Sequence, residues 1–236
     1  IAAQLPFDSR VVGHGVDLSE FHPPEDREQA FATLQLGGRY GVGVIGRVRP
    51  EKGQGDFVEA IAPLLARFPQ WRAVLVGRAK GADQLWAEGL RRKTGDALIL
   101  AGERTPIQPW YQALTVLVHP SYTEGYSLVH VEALASGCCV VSSRLPYVEA
   151  LIEHGRTGFL YDMGDVAHLR EILEGLLREP QRALEVGRNA AEHARRHCGI
   201  EREAEALYAL YREWLDGAGD ERAAPVKDRD EVVTRP

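Results

Sequence analysis

The chain has 236 residues, 28 of them Lys or Arg and 34 Asp or Glu, for a formal net charge of −6, and 44% are apolar. This excludes a mainly disordered chain, which would be poorer in apolar residues, and argues against a general nucleic-acid binder, which would carry a basic excess for phosphates. No run of about 18 apolar residues is present to span a membrane. Three cysteines, with Cys138 and Cys139 adjacent in an apolar run, give neither a disulfide framework nor a zinc spacing, and a reducing cytoplasm is the simplest setting. The sequence begins at Ile1 without a visible signal peptide, so the expectation is a piece of a longer protein.

Residues 1–40 lack sustained periodicity and close on Gly37-Gly38. They read as a connecting segment with one short strand at 10–12. From there, apolar runs of strand length alternate with segments of helical spacing. The runs cover 41–46, 72–77, 97–102, 115–120 and 138–143, and the helical segments 56–68, 84–93, 109–114 and 128–136. Runs apolar on both faces are strands buried on both sides. Strict alternation of strand and helix predicts an α/β, Rossmann-like, doubly wound parallel sheet. After Pro146 further helices are predicted at 166–178, 181–197 and 201–215, with an edge strand at 158–161. Residues 216–236 are charged and aperiodic and read as a disordered tail.

Gly41, Gly43 and Gly46 fall in GxGxxG spacing. A dinucleotide fingerprint follows a strand and opens a helix, whereas these glycines lie within the strand, so the match is a coincidence. The turn that follows is more informative. Open α/β sheets bind ligands at the carboxyl ends of their strands. There Gly46 lets backbone approach a ligand, and Arg47 and Lys52 supply two cations suited to a diphosphate. The alternative is a solvated basic turn. The second cluster runs from Pro120, where the fourth strand ends, to a helix starting near Tyr126 or Ser127, whose free N–H groups face the same crevice. Gly125 keeps backbone bare just before that helix. Glu124 and Glu132 are eight residues apart, about 12 Å along a helix at 1.5 Å per residue. That separation suits the two sugars of a nucleotide-sugar, and a carboxylate accepts hydroxyl protons. The alternative is a helix-cap glutamate and a surface glutamate.

His14 and His119 have no second ligand at metal spacing. His119 ends a buried strand, either facing the crevice or satisfied in the core. Asp228-Arg229-Asp230 has the DxD look of metal-dependent sugar transferases, but no strand precedes it. Ser121, Ser127, Ser142 and Ser143 make no nucleophile elbow, which argues against a hydrolase.

Four segments, in this order and spacing, resemble the family-four glycosyltransferases of GT-B architecture. They are HGVDLSEF (14–21), GRVRPEKG (46–53), HPSYTEGYSLVHVEALASGCCVVSS (119–143) and EALIEHGRTGFLY (149–161). Within the family they are most similar to lipopolysaccharide core mannosyltransferases. The resemblance implies that Arg47 and Lys52 hold the donor diphosphate, Glu124 contacts donor-sugar hydroxyls, and Glu132 grips the ribose. It places the backbone of Gly125, Tyr126, Ser127 and Leu128 against sugar and phosphate, and Gly102, Glu103 and Arg104 at the nucleobase pocket. It implies retention of configuration, with Arg47, Lys52 and Glu124 as the catalytic set. Neither a cofactor nor a catalytic metal is implied, so leaving-group stabilisation is electrostatic. The implied donor is GDP-mannose.

The departures are His14 for the usual Asn, Tyr126 for Phe, and Ser127 for Gly, which adds bulk beside the phosphate. The larger departure is length, since a GT-B enzyme has two Rossmann-like domains and this chain matches only the second. The implied division is 1–21 as the end of a missing N-terminal domain and hinge, 22–200 as the donor domain, 201–215 as a helix crossing back, and 216–236 as the tail. The acceptor, an envelope glycan or lipopolysaccharide core, would bind through the missing domain, with peripheral contact at the inner membrane. Three rivals remain. A non-catalytic nucleotide-sugar-binding module, or a subunit completed by another chain, keeps the fold. A GT-B epimerase shares the diphosphate site. A dinucleotide-dependent oxidoreductase needs an acidic residue ending the second strand, where Gly77-Arg78 stands.

Overall fold

The structure is a computed structural model and describes residues 12–221. The expected apolar runs form one parallel sheet of six strands: β1 (Tyr40–Ile45), β2 (Trp71–Val76), β3 (Leu98–Gly102), β4 (Leu114–His119), β5 (Cys139–Ser143) and β6 (Gly158–Tyr161). Their order is β3-β2-β1-β4-β5-β6. All residues of β1, β4 and β5 are buried, as strands covered on both faces require. Helices α2 (Gln54–Leu65), α3 (Ala82–Thr94) and α7 (Val166–Arg178) cover one face through Phe57, Ile61, Leu90 and Leu173. Helices α4 (Gln108–Ala113), α5 (Leu128–Ala135) and α6 (Pro146–Leu151) cover the other through Tyr111, Val131, Leu134 and Val148, while α8 (Pro180–His197) reaches both.

The strand order reverses between β1 and β4. The chain leaving β1 enters α2 on one face, and the chain leaving β4 enters α5 on the other. The two connections therefore part above the carboxyl ends and open a crevice between them. The glycines inside β1 serve packing. A Cβ at Gly41 would lie 2.6 Å from the Phe31 ring, and one at Gly43 would lie 2.7 Å from the Val74 carbonyl oxygen.

Three expectations are corrected. The segment read as a connection contains α1 (Arg27–Thr33), capped by Asp26, whose carboxylate accepts from the Glu28 and Gln29 N–H groups at 2.9 and 3.0 Å. Arg27 is buried and donates from Nη1 to the Tyr111 and Leu114 carbonyls at 3.0 and 2.6 Å, tying α1 to the α4–β4 corner. The six-residue α6, started by Pro146, was not anticipated. The last helix, α9 (Ile200–Glu221), runs through residues 216–221, where the disordered tail is expected. Gly217 and Gly219 cost about 1 kcal/mol each, too little to stop a helix already propagating. Residues 222–236, with Asp228-Arg229-Asp230, lie outside the described residues. So does the strand expected at 10–12, except Val12, which is not in a strand. Among the described residues no helix is long and apolar enough to cross a membrane.

Candidate functional site

A cavity of about 290 Å³ occupies the crevice between β1 and β4, lined by Gly46, Arg47, Lys52, His119, Ser121, Glu124, Tyr126, Ser127 and Leu128 among others. Gly46 has φ +144°, a conformation that side chains disfavour, and it turns the chain out of β1. A short 3-10 turn at Pro50–Lys52 follows and ends at Gly53, with φ +70°. A Cβ on Gly53 would lie 1.9 Å from the Pro120 carbonyl oxygen, so the turn after β1 is pressed against the end of β4. The Tyr122 N–H donates to the Glu51 carbonyl at 3.1 Å, and its hydroxyl donates to Asp56 Oδ2 at 2.6 Å. The Gln54 side-chain amide donates to the Arg47 carbonyl at 2.8 Å. The Gly53 and Tyr122 contacts fasten the two connections to each other, and the Gln54 bond braces the first of them.

They also bring together residues far apart in sequence. Lys52 Nζ donates to Glu124 Oε1 at 2.5 Å, with the two side chains 20% and 13% exposed. The same oxygen accepts from Ser121 Oγ at 3.0 Å and from His119 Nε2 at 3.1 Å. Burial pushes the Glu124 carboxyl up, but hydrogen bonds from His119 and Lys52 outweigh it and hold the group at about 2. The carboxylate is thus an anion that only accepts, and His119 Nε2 must be protonated to donate to it. Arg47 is exposed at the rim and forms no ion pair among the described residues. The first N–H groups of α5 have no intrahelical acceptor and belong to residues lining the cavity. Two cations, an oriented carboxylate and a helix N-terminus therefore converge on one space. Such a set suits an anionic ligand that also carries hydroxyls.

Of the other expected residues, Gly125 sits in the loop before α5 with open space around it. Glu132 is on α5, set apart from the lining of this cavity. Its Oε2 accepts the Tyr111 hydroxyl at 2.6 Å, and burial, more than this bond, decides its carboxyl, which is pushed up. The expected 12 Å helical rise from Glu124 to Glu132 does not apply, because the helix begins at Leu128 and Glu124 lies on the loop, turned back toward β4. Gly102 and Glu103 line a neighbouring cavity of about 590 Å³ with Val48, Gly77 and Arg78. Glu103 pairs with Arg78 at 3.3 Å, while the Arg104 guanidinium lies over the Trp110 ring at 5.5 Å, outside that lining. His119 proves both buried and turned to the crevice. His14 Nδ1 bonds Glu203 Oε1 at 3.0 Å, and the Gly15 N–H donates to Glu203 Oε2 at 2.7 Å, clamping the segment before Val16 to α9. The roles of Tyr111, Ser121 and Tyr122 as hydrogen-bond partners escape a sequence reading, because such a residue looks like any core or loop residue until its acceptor is known.

A family model described as glycosyl transferases group 1 matches residues 39–179. The lipopolysaccharide core biosynthesis mannosyltransferase LpcC of Rhizobium leguminosarum bv. viciae is 38% identical over 218 residues, covering 90% of this chain and 61% of the relative. The corresponding mannosyltransferase LpsB of Rhizobium meliloti is 31% identical over 218 residues, covering 89% and 62%. The chain thus spans about three-fifths of the length of these curated relatives. The crystal structure of the C-terminal domain of a glycosyl transferase group 1 family protein, LpcC of Francisella tularensis, matches with a TM-score of 0.74 at 28% identity. That match covers 79% of this chain and 100% of that one. Anabaena HepE in complex with UDP and glucose matches with a TM-score of 0.77 at 25% identity, covering 86% and 57%.

Proposed function

The chain belongs to the glycosyl transferases group 1 family, and from that premise we propose that it is the donor-binding part of a retaining mannosyltransferase. The donor is GDP-mannose and the acceptor a lipopolysaccharide core or similar envelope glycan. The observation that carries the proposal is the meeting of Lys52 and Glu124, 2.5 Å apart, beside the cavity at the strand reversal. In this reading Arg47, Lys52 and the N-terminus of α5 hold the diphosphate and stabilise the charge that develops on it as the glycosidic bond breaks. Glu124 Oε2 takes a sugar hydroxyl, and Glu132 takes a ribose hydroxyl. In this reading no metal is required, since fixed charge stabilises the leaving group, and the proton of the acceptor hydroxyl passes to the departing diphosphate as the new bond to the anomeric carbon forms. Support comes from the relatives named as mannosyltransferases and from HepE, solved with UDP and glucose.

In this reading the acceptor binds through the part of the relatives' length that this chain does not span. α9 carries Tyr208, Tyr211 and Trp214, which are 63%, 56% and 60% exposed, a surface suited to packing against that remainder. Catalysis requires an acceptor oriented on the anomeric carbon and water excluded, so the isolated chain binds donor and does not transfer sugar. Isothermal titration with GDP, GDP-mannose, UDP and UDP-glucose, together with a labelled-mannose transfer assay, tests this. Binding of GDP and GDP-mannose without turnover is expected. Failure of every nucleotide to bind, or clear turnover by the chain alone, would overturn it.

A further inference from the structure

Glu124 carries its hydrogen bonds on one side. Oε1 takes Lys52, Ser121 and His119, whereas Oε2 takes none among the described residues. Of the three donors, Lys52 has a second claim on it, because a diphosphate competes for the same N–H groups. The Ser121 hydroxyl is a neutral donor that turns on a single bond. The His119 imidazole is a donor on a ring packed in place. It closes β4, is 4% exposed, and packs edge-to-face on His130 with ring centroids 4.2 Å apart.

His130 is itself immobilised. The Ser142 hydroxyl donates to the Ser143 carbonyl at 3.0 Å, so His130 Nε2 is the donor to Ser142 Oγ at 2.8 Å. Its Nδ1 then accepts the Tyr147 hydroxyl at 3.2 Å. Burial, and after it the neighbouring His119, hold His130 well below the usual imidazole range. It is a neutral ring with both nitrogens engaged, and it is a fixed surface for the His119 ring to pack against.

We infer that His119 is a positioning residue for Glu124: its Nε2–H keeps Oε1 in place when Lys52 is drawn to a diphosphate, so that Oε2 remains available to the hydroxyls of the bound sugar. This rests on the reading of Glu124 as the sugar contact. The test uses the 236-residue chain as wild type, His119→Leu, His119→Gln and Glu124→Ala. Each is titrated with GDP and GDP-mannose and with UDP and UDP-glucose, and compared on the pair the wild type binds.

General loosening of the fold weakens both members of a pair, so the ratio of nucleotide-sugar to nucleotide affinity isolates positioning. His119→Leu should weaken the nucleotide-sugar about tenfold, the loss of roughly one charge-assisted hydrogen bond, with the nucleotide unchanged. His119→Gln, whose amide N–H replaces the Nε2 donor, should restore most of it. Equal losses for both ligands in His119→Leu, or no difference between the Leu and Gln variants, would overturn the inference. Equal losses in Glu124→Ala, or a wild type that binds neither pair, would instead overturn the reading beneath it.

Discussion

Replacing Lys52 by alanine removes the mostly buried cation of the crevice and leaves the remaining polar groups paired. Glu124 keeps His119 and Ser121 on Oε1, at 3.1 and 3.0 Å, so no bare anion is stranded. The fold should lose only about 1 kcal/mol, the worth of one hydrogen bond whose acceptor stays satisfied. Binding should suffer far more. A hydrogen bond to a charged group contributes about 1.5–3 kcal/mol, and about 1.4 kcal/mol is tenfold in affinity. GDP should therefore bind roughly 10- to 150-fold more weakly. Titration calorimetry with GDP, paired with urea unfolding of the same protein, separates the two effects. Lys52→Arg should recover part of the affinity, since charge survives while the compact ammonium geometry does not. An intact Lys52→Ala variant that binds GDP within threefold of wild type would refute the assignment of Lys52 to the diphosphate.

Gly53→Ala forces a Cβ to within 1.9 Å of the Pro120 carbonyl oxygen at φ +70°; it should destabilise the chain by about 2–5 kcal/mol, combining left-handed strain with overpacking, and an unchanged urea midpoint would contradict the close approach. Glu124 at about 2, below the ordinary 4.5, contributes stability that is complete above 4.5 and lost as pH falls toward 2. The stability difference between wild type and Glu124→Gln should therefore shrink by about 2 kcal/mol between pH 7 and pH 3, and a difference independent of pH would count against the buried anion. Tyr111→Phe removes the hydroxyl on Glu132 Oε2 and should weaken GDP and GDP-mannose alike, by about 3- to 10-fold; a loss confined to GDP-mannose would move Glu132 away from the ribose.

The sheet is legible because Val42, Val44, Val116 and Val118 on one face and Ile45, Leu114 and Leu117 on the other make short runs apolar on both sides, in alternation with segments of helical spacing. The resemblance carried by the four motifs is borne out by the family match and by the fold. Helix α1 is hidden because one of its buried residues is Arg27, whose partners are backbone carbonyls more than eighty positions away. The Asp26–Gln29 capping pattern is the signal that could have found it. In the site, Arg47, Lys52 and Glu124 are legible as residue types at strand ends. Their meeting in one crevice is expected from the doubly wound pattern and the resemblance, whereas the direct ion pair of Lys52 with Glu124 is not, since it depends on how the two turns pack. The separation of Glu124 from Glu132 is misjudged because a helical rise is applied to residues that lie on a loop. Tyr122, Tyr147 and Ser142 are invisible in advance because their roles depend on acceptors set by the tertiary fold.

Three donors on one carboxylate oxygen and none on the other make physical sense if the site exchanges partners on binding. A Lys52 side chain only 20% exposed needs a counter-ion at rest, and Glu124, an anion down to about pH 2, supplies it. In the proposed reading, a diphosphate then offers the ammonium a second anion, while the sugar offers hydroxyl donors to the vacant Oε2. Lys52 shifts toward phosphate, Glu124 is kept by His119 and Ser121 and gains the hydroxyl, and no buried charge is unpaired at any stage. The exchange requires a lysine from the turn after β1 and a carboxylate from the loop after β4 at a single point. In this sheet the reversal of strand order between β1 and β4 places both there.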